Sequence, residues 1–272
     1  MKEIVVRATT GAIYVALTIA AVWAGPFTTA LLFFPVCLLA AGEMHDLYWP
    51  AGKAPPKYWS VLVAGAFYVG VVLHPWFGHS NMELIITLCF ILLLISMAWI
   101  FWLAPADPAN FIGGLLVVML LVGAPFALLP HFHQFGKGGN GHEVLMGFFL
   151  LLWVNETGAY LAGRAFGRHK LSPTISPKKT IEGLMGGIIV TVGSAWLIAS
   201  WWNALSLRQW LVSAALVATI STLGDLFESA MKRSRGVKDS GNLLPGHGGI
   251  LDRFDGFLLA APAMFIYLLL TT

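Results

Sequence analysis

The chain has 272 residues, of which 58% are hydrophobic and only 11% charged, with a formal net charge of +3. Soluble domains carry about a quarter charged residues, so these charges are too few to clothe a water-facing exterior, and a soluble enzyme or soluble binding module is excluded. The net charge is small, and no nucleic-acid partner is expected.

A bilayer core takes about 20 apolar residues per helix. On that ruler the candidate spans are 4–24, 27–41, 59–78, 84–103, 111–130, 144–162, 183–202, 209–224 and 254–271. The first follows Lys2 and Arg7 and ends near Val22-Trp23-Ala24, as a signal peptide would. Thr9, Thr10 and Thr18 dilute its apolar stretch, so it reads as an uncleaved span. The second and eighth are short. Breaks fall at Gly25-Pro26, Pro55-Pro56, Pro105 with Pro108, and Pro173 with Pro177. Cys37 and Cys89 lie inside apolar runs and fit no metal or disulfide spacing. No internal repeat interrupts the pattern. The expected fold is all-α: a polytopic membrane protein with about nine transmembrane helices in one integral membrane domain, 1–272. Residues 1–130 form mainly scaffold, and 144–272 carry the polar loops 155–187 and 224–256.

Nine spans put the termini on opposite faces. Fourteen of the 16 Lys and Arg residues then fall on the N-terminal face, leaving Lys137 and Arg208 on the other. The positive-inside rule makes the N-terminus cytoplasmic, places both polar loops in the cytosol and leaves the C-terminus outside.

In the second polar loop, a helix over 223–233 would bring Asp225, Ser229 and Lys232 onto one face at i, i+4 and i+7. Asp252 and Asp255, three apart, would also share a face. Three carboxylates near one surface repel unless a cation lies between them, and hard oxygen ligands of this kind suit Mg2+. Lys232, Arg233, Lys238 and Arg253 are suited to phosphate, by charge and, for arginine, by forked hydrogen bonds. Between the clusters, Pro245-Gly246-His247-Gly248-Gly249 offers a glycine turn whose N–H groups could bind an anion. Together these features describe a phosphoryl- or nucleotidyl-transfer site. No P-loop, GxSxG or HExxH string occurs.

At Ser229, Lys232-Arg233, Lys238-Asp239, His247-Gly248-Gly249 and Asp252-Arg253-Phe254-Asp255, spread over 27 residues, the chain resembles the phosphatidate cytidylyltransferases, or CDP-diacylglycerol synthases. The first loop resembles them through Thr157-Gly158-Ala159-Tyr160, Gly167 to Lys170, Ser176-Pro177-Lys178-Lys179-Thr180 and Glu182-Gly183. One departure is Glu156, where the family carries Asp; the carboxylate is kept on a longer arm.

The resemblance implies that CTP and phosphatidic acid yield CDP-diacylglycerol and pyrophosphate. On that reading Asp225, Asp252 and Asp255 hold Mg2+, with a second cation such as K+ consistent with the cluster, and Asp225, Lys232, Asp252 and Asp255 carry the catalysis. Lys179, Ser229, Arg233, Lys238, His247 and Arg253 bind substrate, with Glu156, Ser176 and Asp239 as further candidates. The site would lie at the cytoplasmic face of a bacterial inner membrane, with lipid entering sideways between helices, in a homodimer. Three alternatives stand beside it: a CTP-dependent lipid-alcohol kinase, a non-catalytic relative that the Glu156 departure permits, and a transporter. The transporter is disfavoured because the charges gather at one face.

Overall fold

A computed structural model of the chain describes residues 2–49, 55–74, 91, 107–243 and 248–272, with backbone alone for 2–8. The helices are α1 (Lys2–Ala24), α2 (Pro26–Tyr48), α3 (Tyr58–Leu73), α4 (Pro108–Gln134) and α5 (Gly141–Phe166). A hairpin of β1 (Lys170–Ser172) and β2 (Ser176–Thr180) follows, then α6 (Ile181–Trp201), α7 (Leu207–Ser234), the short α8 (Leu251–Phe254) and α9 (Phe257–Thr271).

Among the described residues six stretches are long and apolar enough to cross a membrane: α2, α4, α5, α6, α7, and α8 with α9. Thr9–Ala24 of α1 and all of α3 are shorter apolar helices. The chain is therefore a polytopic, helical, integral membrane protein. Among the described residues eight of the nine expected spans coincide with helices, while 84–103 falls almost wholly outside them.

Three expected boundaries differ. The second span does not stop at residue 41 but runs to Tyr48. Gly42-Glu43 reads as an exit to water, yet Glu43 is buried and fully bonded (below). The eighth extends to Ser234, because its polar end continues the same helix instead of opening a loop. The first polar loop is mostly regular: the last turns of α5, an antiparallel hairpin pairing Lys170 with Thr180 and Ser172 with Ser176, and the start of α6. The hairpin is the one departure from an all-α fold among the described residues.

Local chemistry explains the starts. Pro26 occupies the first turn of α2, where a missing N–H costs nothing. The Thr180 hydroxyl accepts from Gly183 N–H at 3.1 Å and caps α6. Ser206 and Gln209 form a reciprocal capping box on α7. Inside α4, Met119–Gly123 is wound as a π-turn ahead of Pro125.

Two packing arrangements position the polar residues. First, α6 returns antiparallel along α5 through small residues. A Cβ on Gly183 would lie 2.9 Å from the Ala159 carbonyl oxygen, and one on Gly187 would lie 3.0 Å from the Ala159 methyl. Helix pairs in lipid gain by such close approach, having no hydrophobic drive toward each other. Second, Phe254 of α8 is buried in an aromatic cluster. Its ring centroid lies 5.0 Å from Phe126, 5.4 Å from Phe257 and 6.2 Å from Phe33. With Phe254 locked inward, Asp252, Arg253 and Asp255 are distributed around it, toward the polar end of the bundle.

Replacing Gly187 by Leu should overpack the α5–α6 contact and cost about 1–3 kcal/mol, read as a lower Tm in detergent. Gly193→Leu on the same helix, where a Cβ meets nothing within 4 Å, should leave Tm unchanged.

Candidate active site

The polar end of α7 carries Asp225, Glu228, Ser229 and Lys232. Ser229 Oγ lies 3.2 Å from Asp225 Oδ1, so the expected shared face is present. Lys232, however, turns inward. Its Nζ donates to Glu228 Oε2 at 3.1 Å and to Asp252 Oδ1 at 2.7 Å, and the residue is buried. A buried ammonium needs such partners, since desolvation alone would cost several kcal/mol.

Asp252 extends the tie. Its Oδ2 accepts from the N–H groups of Ser240 and Gly249, each at 2.8 Å. Both oxygens of Asp252 are thus engaged, tying Ser240 and Gly249 to Lys232 of α7. Gly248 lies beneath this turn with φ +83°, a backbone region that L side chains rarely adopt. A third carboxylate completes the arrangement from the other half of the chain. Glu43 of α2 accepts from Ile250 N–H at 2.9 Å and Leu251 N–H at 2.8 Å, the free donors at the start of α8. The Ser240 hydroxyl sits 2.8 Å from Glu43 and 3.0 Å from Asp252, its single proton serving one at a time. Beside this, Arg235 at the end of α7 donates to the carbonyls of Leu47 and Tyr48, capping α2.

Above the tie opens a cleft of about 520 Å3. Asn155, Glu156, Tyr160 and Arg164 of α5 form one wall, and Lys178 and Lys179 of β2 another. Ser221, Thr222 and Asp225 of α7, with Asp252, Arg253 and Asp255, form the rest. Lys179 is ion-paired with Asp225. Asp255 Oδ1 accepts from Gly256 N–H at 2.6 Å and lies within electrostatic reach of Asp225, Glu228 and Glu156. Gly224 lets α7 approach the α8–α9 junction, where an added Cβ would meet the Asp255 carbonyl oxygen at 2.7 Å. The floor is therefore acidic and the rim basic, a pairing that suits a polyanion carrying a divalent cation.

Among the described residues no three His, Cys, Asp or Glu side chains gather tightly enough to hold a metal by themselves. Mg2+ ordinarily takes one or two carboxylates and completes its shell with phosphates and water. Asp225 and Asp255 meet that need. Glu228 Oε1 and Asn155 Oδ1, both buried, have no hydrogen-bond partner among the described residues.

Of the residues expected from sequence, Asp225, Asp252, Asp255, Lys179, Glu156 and Arg253 converge on the cleft, with Ser229 behind Asp225. Asp252 lines the cleft while bonded to Lys232, which is itself buried against Glu228. Arg233 is exposed and donates to its own Val237 carbonyl at 2.8 Å. Lys238 and Asp239 are exposed beyond α7, and Ser176 sits in β2 opposite Ser172. His247 lies outside the described residues. Arg164, Lys178 and Asn155 were not singled out from sequence. Nor was Glu228, although its spacing, three after Asp225 and four before Lys232, puts it on their face. Nothing local marks Glu43, whose partners lie 207 and 208 residues away.

The sequence matches the Cytidylyltransferase family over residues 5–271. The phosphatidate cytidylyltransferase of Staphylococcus haemolyticus is 31% identical over 245 residues, covering 89% of this chain and 90% of that protein. That of Staphylococcus epidermidis is 46% identical over 134 residues, 48% of this chain and 51% of the relative. That of Staphylococcus saprophyticus is 44% identical over 132 residues, 48% and 50%. The last two matches span about half of each relative.

Glu43→Ala should leave two buried N–H groups without an acceptor, at about 1–3 kcal/mol each. A lower Tm and faster proteolysis between residues 236 and 250 are expected, with Glu43→Gln in between. An unchanged Tm for Glu43→Ala would mean that the tie is not holding the loop.

Proposed function

Because the chain belongs to the Cytidylyltransferase family, we propose that it joins CTP to phosphatidate, releasing pyrophosphate and leaving CDP-diacylglycerol in the membrane. The observation that carries this reading at the level of residues is the cleft in which Lys179 pairs with Asp225 beside Asp255 and Arg253. The reaction brings two polyanions together, and a basic rim over an acidic floor answers that difficulty.

The attacking group is a phosphate monoester, whose second pKa is about 6, so its oxygen is already anionic at neutral pH. That oxygen forms a bond to the α-phosphorus of CTP while the α–β anhydride bond breaks, its electron pair leaving on pyrophosphate. No strong base is needed, so the protein's task is positioning and charge stabilisation. Lys179 and Lys178 of β2, with Arg164 of α5, are suited to the triphosphate. Arg253, from α8, suits the incoming monoester. Asp225 and Asp255 would hold Mg2+, with K+ as a second cation. When bound, Mg2+ neutralises the triphosphate and stabilises charge developing on the leaving group. Asp252, at the cleft wall, and Lys232 behind it hold the segment that presents Arg253 and Asp255; Ser229 orients Asp225.

Placement in the cell follows from charge and substrates. The basic bias of the N-terminal face supports nine spans in a single domain, with a cytoplasmic N-terminus, an outer C-terminus and a cleft open to cytosolic CTP. The relatives are bacterial, and with one bounding bilayer in view the inner membrane is the assignment. A homodimer rests on the family resemblance.

The test is release of labelled pyrophosphate from γ-labelled CTP by the purified protein, with and without phosphatidate and Mg2+. Asp255→Asn and Lys179→Ala should each lower kcat/KM by about 100-fold or more while Tm stays within a few degrees. Wild-type kcat/KM in Asp255→Asn would remove the cleft from the reaction. Label appearing on a lipid alcohol, with CDP as the nucleotide product, would replace the transferase reading by a kinase.

A further inference from the structure

A second cavity, of about 370 Å3, lies against the cleft. Its walls are largely apolar, built by Gly11 and Tyr14 of α1, Val36 of α2, Trp153 of α5, and Phe254. Two residues belong to both cavities, Glu156 and Arg253. The polar cleft and the apolar chamber are thus neighbours with a charged threshold between them.

We propose that this chamber receives the glycerol and the first acyl methylenes of the lipid substrate, with Arg253 at the threshold holding the phosphate. The proposal rests on the cytidyl-transfer reading above and assigns one substrate to each chamber. The joined cavities match an amphiphile: an anionic head on the cleft side of Arg253 and an apolar remainder on the other.

Size and lining argue for the start of an acyl chain. At about 30 Å3 per water-sized group, the chamber takes on the order of a dozen such groups, so the distal methylenes must remain in the bilayer. Its outer wall is α1, whose Ile13 and Leu17 are exposed on the surface of the bundle. A cytosine base is the rival occupant, since aromatic rings could stack on it. Its polar edge would then depend on the few polar groups of a lining that is otherwise apolar, among them those of Thr10, Tyr14, Glu156 and Arg253, with Val36 and Phe254 around the rest, an unfavourable exchange.

Gly11 gives the means to test this. It lines the chamber, and a Cβ built on it meets nothing within 4 Å, so a larger side chain enters open space. In the full chain, reconstituted in nanodiscs, Gly11→Leu should raise KM for dioctanoyl phosphatidate by about tenfold, the scale of a misfitted methylene or two. KM for CTP should not change, and Gly193→Leu should behave as wild type. A second measurement needs no variant. Phosphatidate carrying a photoreactive group near the start of one acyl chain should label wild-type peptides containing residues 11–15 and 149–153. A rise in KM for CTP instead would assign the chamber to the base and overturn the proposal. So would unchanged phosphatidate kinetics in Gly11→Leu, or photolabel confined to other helices while the wild type turns over. Absence of turnover in the wild type with either lipid would instead sink the cytidyl-transfer reading itself.

Discussion

A lysine ammonium enclosed in a membrane protein cannot stand alone, and the polar end of this molecule is organised around that constraint. Lys232 is held between Glu228 and Asp252. Asp252 is held in turn by the backbone of Ser240 and Gly249, and Glu43 gathers the next two N–H groups. Each partner satisfies one group and leaves another that the next must satisfy. Such chains are all-or-none in character: fully paired they specify one arrangement, and a missing member leaves a buried polar group exposed to its desolvation cost. The arrangement specified here places Arg253 and Asp255 at the cleft.

Residues that look alike in sequence are placed differently in the fold. Lys232 faces protein; Asp255 and Lys179 face the cleft, and Asp252 does both. Asp225 is intermediate, paired with Lys179 yet lining the cavity. The β hairpin matters because it brings a cation from the α5–α6 connection over an acid on α7. The glycine contacts that draw α6 against α5 hold the base of that hairpin. Packing in lipid and charge placement in the cleft are therefore consequences of the same small residues.

Much of this was legible in the sequence. The apolar runs gave the helices, because bilayer thickness leaves few alternatives for a run of that length. The face shared by Asp225 and Ser229 followed from helical period alone, and the motif spacing pointed to nucleotidyl transfer. What was not legible has a common physical cause: tertiary partners far away in sequence. A carboxylate at position 43 looks like the end of a span until Ile250 and Leu251 are seen to need it. Lys232 looks unpartnered in sequence, and only the fold brings Asp252 to it. The hairpin, at Pro173 and Pro177, reads as a break because its strands are three and five residues long.

The Glu43 contact has a consequence for how the protein is made. Chains emerge at about 5–20 residues per second, and the backbone groups that Glu43 binds are 207 and 208 residues downstream. For tens of seconds during synthesis, α2 must therefore carry an acid whose eventual partners have not yet been made. An ionisable side chain in that position favours the water interface over the bilayer interior. Final seating of α2 is thus coupled to the arrival of α8 and α9, and a ribosome that stops short of Ile250 leaves a chain with most of its membrane helices and without Arg253 and Asp255 of the cleft. Completion of the polypeptide itself becomes the checkpoint for activity.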